Sequence, residues 1–173
     1  MMQQLSSPAA LAGADPGTPP EGVAAIRVRA GDRDAWAADV AEQLTRSAHV
    51  IAVGEDVQGA LVLAAEHAEH VVSLVLIDPR VDLDDPRHAA TMDRVGVPTL
   101  VIASAPTETT PIDEPQSIAG GVDNGVFVVI DGAAAPTLAN RPESVLEWSS
   151  AFMEIAEGLA ETRTDLIVSS DDF

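Results

Sequence analysis

Val50-Ile51-Ala52-Val53-Gly54-Glu55-Asp56-Val57-Gln58-Gly59-Ala60-Leu61-Val62-Leu63 decides the reading of this chain. Four apolar residues, three of them β-branched, form a short run that suits a strand buried on both faces. Gly54 then breaks the run, and an apolar pattern of helical length follows. A strand, a tight turn and a helix in that order make one α/β unit. Gly54 to Gly59 is not a dinucleotide fingerprint, because the third position of G-x-G-x-x-G is Asp56. It is not a phosphate loop either, since no Gly-Lys-Ser/Thr follows.

Working outward, four more Val/Ile/Leu-rich runs flank this unit: Val23 to Val28, Val72 to Ile77, Thr99 to Ala103 and Val126 to Ile130. With His49 to Val53 they predict about five strands. Helical patterns lie between them. Arg33 to Ser47 carries Trp36, Val40 and Leu44 four residues apart, and Gln58 to Ala68 follows the turn. Pro142 to Leu159 carries Val145, Trp148, Phe152 and Ile155 at spacings of three and four, with Pro142 suited to a first turn. The fold class expected is α/β, a three-layer parallel sheet flanked by helices with right-handed crossovers. Residues 1–22, rich in Pro, Gly, Ala and Ser, read as a flexible lead-in. Residues 23–161 read as the folded domain, and residues 162–173 as a C-terminal tail.

The composition bounds the function. The 173 residues fit one domain, and 46% of them are apolar. Cysteine is absent, which excludes disulfides and thiolate metal sites. The 28 acidic residues outnumber the nine basic ones, for a net charge of −19. Such a field repels phosphate backbones, so no nucleic-acid partner is expected. All nine basic residues are Arg; with no Lys, Schiff-base chemistry is excluded. No apolar run approaches about 18 residues, so no membrane span is expected. The first twenty residues lack a basic region followed by an apolar one, so the expected location is the cytoplasm.

Five segments in order resemble the C-terminal part of the α/β-hydrolase superfamily, without its lid domain. Ala35 to Leu44 is similar to the helix before the nucleophile elbow, and Val53 to Leu63 to the elbow G-x-S-x-G and its helix. His67 to Asp78, with Glu69-His70-Val71-Val72 and Leu74-Val75-Leu76-Ile77-Asp78, is similar to the family's H-P-E-x-V-x-x-L-V-L-I-D. Val97-Pro98-Thr99-Leu100-Val101-Ile102 is similar to V-P-T-L-V-I. Asp131 to Glu143, ending Asn140-Arg141-Pro142-Glu143, is similar to G-A-G-H-x-x-x-x-E-R-P-E.

The resemblance places Asp56 in the nucleophile slot and Gln58 where the motif has its second glycine. Ala135 falls in the slot of the family's catalytic His, and no His follows His88. The loop Ser104-Ala105-Pro106-Thr107-Glu108 lacks the family's Asp; Glu108 is the nearest substitute. One oxyanion donor is implied at the Val57 N–H. The strands that precede Val23 in the family, and the loop with the second donor, are expected to be missing. The resemblance therefore implies a non-catalytic binding, regulatory or assembly component, with Glu55, Asp56, Val57 and Asp78 as the binding residues and no cofactor. The alternative is an atypical hydrolase that uses Asp56 as nucleophile, as the branch with G-x-D-x-G does, aided by His88 or a group from a second subunit, with Glu108 as a further candidate. A small α/β enzyme of another type is the third reading.

Active groups of open α/β sheets lie at the carboxyl ends of the strands. That rule puts His88 on the side of Asp56, and His49, His67 and His70 on the other. His88 is either a partner of Asp56 or a solvated loop histidine. Asp56 otherwise suits a helix N-cap. Glu55, Asp56, Asp78, Asp82, Asp84 and Asp85 gather at the same end, but Asp82-Leu83-Asp84-Asp85 lacks calcium-loop spacing, so no metal is expected. A sheet starting at Val23 would leave one side open, and a second copy or another protein is expected to cover it.

Overall fold

A computed structural model describes residues 5–29 and 31–171, with side-chain surroundings up to residue 160. The elements in chain order are β1 (Ala9–Gly13), β2 (Val23–Arg27), α1 (Arg33–Gln43), β3 (Ala48–Val53) and α2 (Asp56–Glu66). A short 3-10 turn, Ala68–His70, leads to β4 (Val71–Ile77), α3 (Pro86–Asp93), β5 (Thr99–Ala105) and α4 (Asp113–Gly121). The chain continues as β6 (Gly125–Asp131), α5 (Thr137–Asn140) and α6 (Pro142–Asp171). All six strands are parallel, in the order β2-β1-β3-β4-β5-β6.

Period two along each strand builds the two faces of the sheet. Ala10, Ala12, Val50, Ala52, Leu74, Leu76 and Val101 point to one face, under α1, α2, α3 and α4. Leu11, Ile51, Val75, Ile77, Leu100 and Ile102 point to the other, which is covered by Val145, Phe152 and Met153 of α6. Interior strands buried on both faces explain the near-continuous apolar runs. Among the described residues, no helix is long and apolar enough to cross a membrane.

Two boundaries differ from the sequence expectation. Residues 1–22 were expected to be a lead-in, yet Ala9–Gly13 forms a strand between β2 and β3, with Ala9 opposite both Val23 and His49. Ala-Ala-Leu-Ala-Gly has little intrinsic strand preference. It is held as a strand because backbone ladders on both sides and close packing of small side chains bury all five residues. β1 thus fills the place beside Val23 that was expected to stand open, and β2 becomes the outermost strand. At the other end, α6 runs on through residue 171 where a tail from residue 162 was expected. No Pro or Gly follows Gly158, so no strong stop signal is present. Residues 172–173 lie outside the described residues.

Strand β2 lies to one side of β1, and the chain then crosses to β3 on the other side. That reversal makes the carboxyl ends of β1 and β3 the topological switch point, where open α/β sheets form a crevice.

Candidate functional site

Strand β3 ends at Val53, and the chain turns at Gly54 with φ 62°. That backbone is in the left-handed region, which glycine enters freely. The Gly54 N–H donates to the Ile77 carbonyl at 3.0 Å, and the Gly54 carbonyl accepts from Arg80 N at 3.1 Å. The turn is pinned between β4 and the loop after it. Helix α2 starts at Asp56, with Glu55 as its N-cap residue. In the strand–turn–helix elbow of hydrolases, the nucleophile occupies the strained residue at the turn. Here that strained residue is Gly54, which has no side chain. Asp56 sits two residues later, in the first turn of α2.

The Asp56 carboxylate does not cap its own helix, contrary to the N-cap expectation. Glu55 holds that position without a side-chain bond. Asp56 Oδ1 instead accepts the Trp36 indole Nε1–H at 3.0 Å and the Ala14 amide at 3.2 Å. A Cβ on Gly13 would lie 2.7 Å from Asp56 Oδ2, so the glycine at the end of β1 makes room for the carboxylate. Val57 is fully buried, and its N–H, the expected oxyanion donor, already faces the Gly54 carbonyl at 3.3 Å. Gln58 projects its Nε2 to the Arg80 carbonyl at 3.0 Å. Close packing falls one residue later, where Gly59 lies against the Trp36 ring.

Two cavities meet at Asp56. One, of about 490 Å³, lies at the switch point. Leu11, Val53, Pro16, Pro136, Leu138 and Leu146 wall it, Asp56 and Asp15 are its acids, and no Arg or His lines it. The other, of about 550 Å³, is charged, with Arg33, Glu55, Asp56, Asp82, Asp85, Arg87 and His88 around it.

The structure thus brings His88 to the same cavity as Asp56 but commits it elsewhere. His88 Nδ1 lies 2.9 Å from Arg33 Nη1. A guanidinium only donates, so Nδ1 accepts, and the ring is the neutral form with its proton on Nε2. Burial, with Arg33 adding to it, holds the His88 pKa below its ordinary value, against the opposing pull of Asp85 and Asp82. His88 is a buried residue, not the solvated loop histidine of the alternative expectation. Asp85 caps α3 through Arg87 N at 3.0 Å and pairs with the Arg87 guanidinium at 2.8 Å, and those contacts hold its carboxyl well below the usual range.

Asp78, at the end of β4, accepts the Thr137 N–H at 2.7 Å and its hydroxyl at 2.6 Å. It thereby fastens the loop after β6, which carries the exposed Ala135 and sets Pro136 over the apolar cleft. Glu108 is exposed in the loop after β5 and lines neither cavity. Glu55 is exposed at the mouth of the charged cavity. Among the described residues, no three His, Asp or Glu side chains converge as metal ligands. Asp78 and Asp85 are turned to Thr137 and Arg87 instead.

One constellation escaped sequence reasoning. At the opposite end of the sheet, His49 Nδ1 lies 2.7 Å from Ser73 Oγ, and His49 Nε2 lies 3.0 Å from Glu157 Oε1. Glu157 also accepts the Ser7 and Ser6 amides at 2.8 and 3.0 Å. The order serine, histidine, acid resembles a hydrolytic triad. However, Ser73 and His49 are wholly buried, and neither cavity reaches them. The network is a clamp joining β3, β4, α6 and the segment before β1. No local signal announces it, because its partners are 24 and 108 residues apart.

No protein-family model matches the chain, and no curated protein sequence does. Solved structures do match. Rv0554 from Mycobacterium tuberculosis superposes with a TM-score of 0.69 at 17% identity, over 86% of this chain and 90% of its own. BpoC from Mycobacterium tuberculosis H37Rv gives 0.68 at 16% identity, over 88% and 94%. Est1E from Butyrivibrio proteoclasticus gives 0.67 at 13%, over 90% and 91%. These neighbours share one architecture, and their cover of most of the chain matches the resemblance read from the sequence. The protein has the α/β-hydrolase fold, built here on a six-stranded parallel sheet.

Proposed function

We propose that this protein is a catalytically degenerate member of the α/β-hydrolase fold that binds a ligand in the cleft at the switch point, as a binding, regulatory or assembly component. The observation that carries this reading is the glycine at the apex of the elbow. The residue that would aim a nucleophile into the cleft has no side chain, and Ala135 offers no base from the opposite loop. The competing reading, with Asp56 as nucleophile, needs a base to activate water against the resulting ester. His88 is a poor candidate, because Arg33 occupies its Nδ1. Short-chain nitrophenyl esters are expected to turn over at the background rate, equally in wild type and in Asp56→Ala. Turnover that vanishes in Asp56→Ala, or covalent labelling of Asp56 by an alkyl halide, overturns the proposal.

The cleft also suggests a ligand class. Its walls are mainly apolar, Asp56 and Asp15 are its acids, and no cationic side chain is in the lining. A small, mainly apolar amine satisfies both features through a charge-assisted hydrogen bond. Benzylamine is expected to bind more tightly than benzoate or benzyl alcohol by calorimetry. Asp56→Asn is expected to weaken it at least about tenfold, the equivalent of ~1.4 kcal/mol. Gly13→Ala, whose methyl group would displace Oδ2, should weaken it similarly. Equal binding of all three probes, or benzylamine binding that ignores Asp56→Asn, removes the amine assignment.

A further inference from the structure

The two faces of the sheet are covered unequally. Four helices, α1 to α4, lie on one face, while α6 is the one long helix over the other. Glu157 of α6 reaches His49 on β3, so that flank of α6 points toward the middle of the sheet. Trp148 precedes Glu157 by nine residues, roughly two and a half turns, which puts it on the opposite flank, toward β6. Ile155 and Leu159 fall on the flank of Trp148 at spacings of seven and four. Among the residues of α6 whose surroundings are described, up to residue 160, these three are the large apolar side chains left open, at 50%, 62% and 46% exposure. Beside them, Val126 is 47% exposed on β6, on the same face as Val128 and Ile130, which belong to the α6-side core. Helical phase and strand period thus set the open side chains of α6 and Val126 of β6 along one uncovered strip of this face, an apolar groove beside α6.

The solvent rim of this groove is acidic. Glu147 and Glu154 each stand one residue before an exposed apolar side chain, and Glu143 continues the row one turn earlier. All three are exposed, and no basic residue occurs between Pro142 and Ala160. A second copy of this chain would bring a like row of acids, and a net charge of −19, against this one. The complementary occupant is apolar on one side and positive beside it.

We propose that the groove between α6 and β6 is a docking surface for a basic amphipathic helix of another protein, which would lie along α6 as its missing neighbour on that face. Trp148, Ile155 and Leu159 supply the apolar contact, and Glu143, Glu147 and Glu154 select for Lys and Arg.

The probe is an 18-residue peptide of Leu and Lys patterned as an amphipathic helix, with a control of the same composition scrambled. Titration into the full chain is followed by calorimetry and by tryptophan emission. Trp36 is already buried, so a blue shift reports on the half-exposed Trp148. The patterned peptide should bind at least tenfold more tightly than the scrambled one. Ile155→Ser and Val126→Arg, on different elements, should each cut affinity severalfold or more. Glu147→Gln with Glu154→Gln should weaken binding and flatten its salt dependence. Thermal melts confirm that each variant is folded. Equal binding of both peptides, or affinity unmoved by Ile155→Ser and Val126→Arg, overturns the proposal. So does self-association in sedimentation that Ile155→Ser abolishes, which would make the occupant a second copy.

Discussion

Gly59→Val is expected to destabilise the fold by about 3 kcal/mol, the upper part of the range for overpacking a core. A Cβ at this position would overlap Cγ and Cδ2 of Trp36 and come within 2.6 Å of Cε3. The indole cannot simply swing aside. It is buried, and its Nε1–H is bonded to Asp56 Oδ1. Displacing the ring would separate α1 from α2 and strip Asp56 of a hydrogen bond, so stability and the cleft should suffer together. Gly120→Ala is the internal control. Gly120 lies in α4 with open space where its Cβ would be. Removing backbone freedom from the unfolded chain should stabilise by ~0.5–1 kcal/mol. Denaturant midpoints of opposite sign for the two variants are the expected result. A neutral Gly59→Val would show that the two helices part without cost.

Glu157→Ala should cost about 2 kcal/mol at neutral pH, within the range for orphaning buried donors. It leaves His49 Nε2 and the amides of Ser6 and Ser7 without their acceptor. Burial holds the His49 pKa below its ordinary 6.5, against the opposing pull of Glu157, so the pair is a neutral imidazole bonded to a carboxylate. For Glu157, burial alone would raise the pKa. The hydrogen bonds from His49, Ser6 and Ser7 outweigh it and lower the pKa below 4.5. Both directions carry the same sign. Below pH 6.5 the unfolded chain takes up protons that folded His49 and His88 refuse, so stability falls as pH falls. Below pH 4.5 the unfolded chain protonates Glu157 first, and a second loss begins. Wild type should therefore lose stability in two stages on acidification, and Glu157→Ala should lose less in the second, to which Asp85 still contributes. Denaturant melts from pH 7.5 to 4 check this; stability that is flat between pH 7 and 5 would contradict it.

The apolar runs at Val72 to Ile77 and Thr99 to Ala103 were legible because strands buried on both faces must be continuously hydrophobic, whatever their neighbours. The elbow region was legible as a strand, a turn and a helix for the same local reason. Its apex was not, because G-x-D-x-G and the observed turn differ by two residues in where φ becomes positive. Asp56 and His88 were rightly placed at one end of the sheet. Their true partners, Trp36 and Arg33, lie 20 and 55 residues away, so spacing held no trace of them.

By itself, the sequence determined the fold class, the order of its units and the absence of a histidine after β6. Each is set by local periodicity or by a residue that is simply not there. Only the tertiary structure decided that Ala9–Gly13 is an interior strand, that Gly54 is the apex, and that Ser73, His49 and Glu157 form a clamp. Those outcomes depend on which backbones pair and which distant side chains meet once the core closes. A run of alanines becomes a strand because β2 and β3 pair with it on either side, and nothing within the run itself requires that.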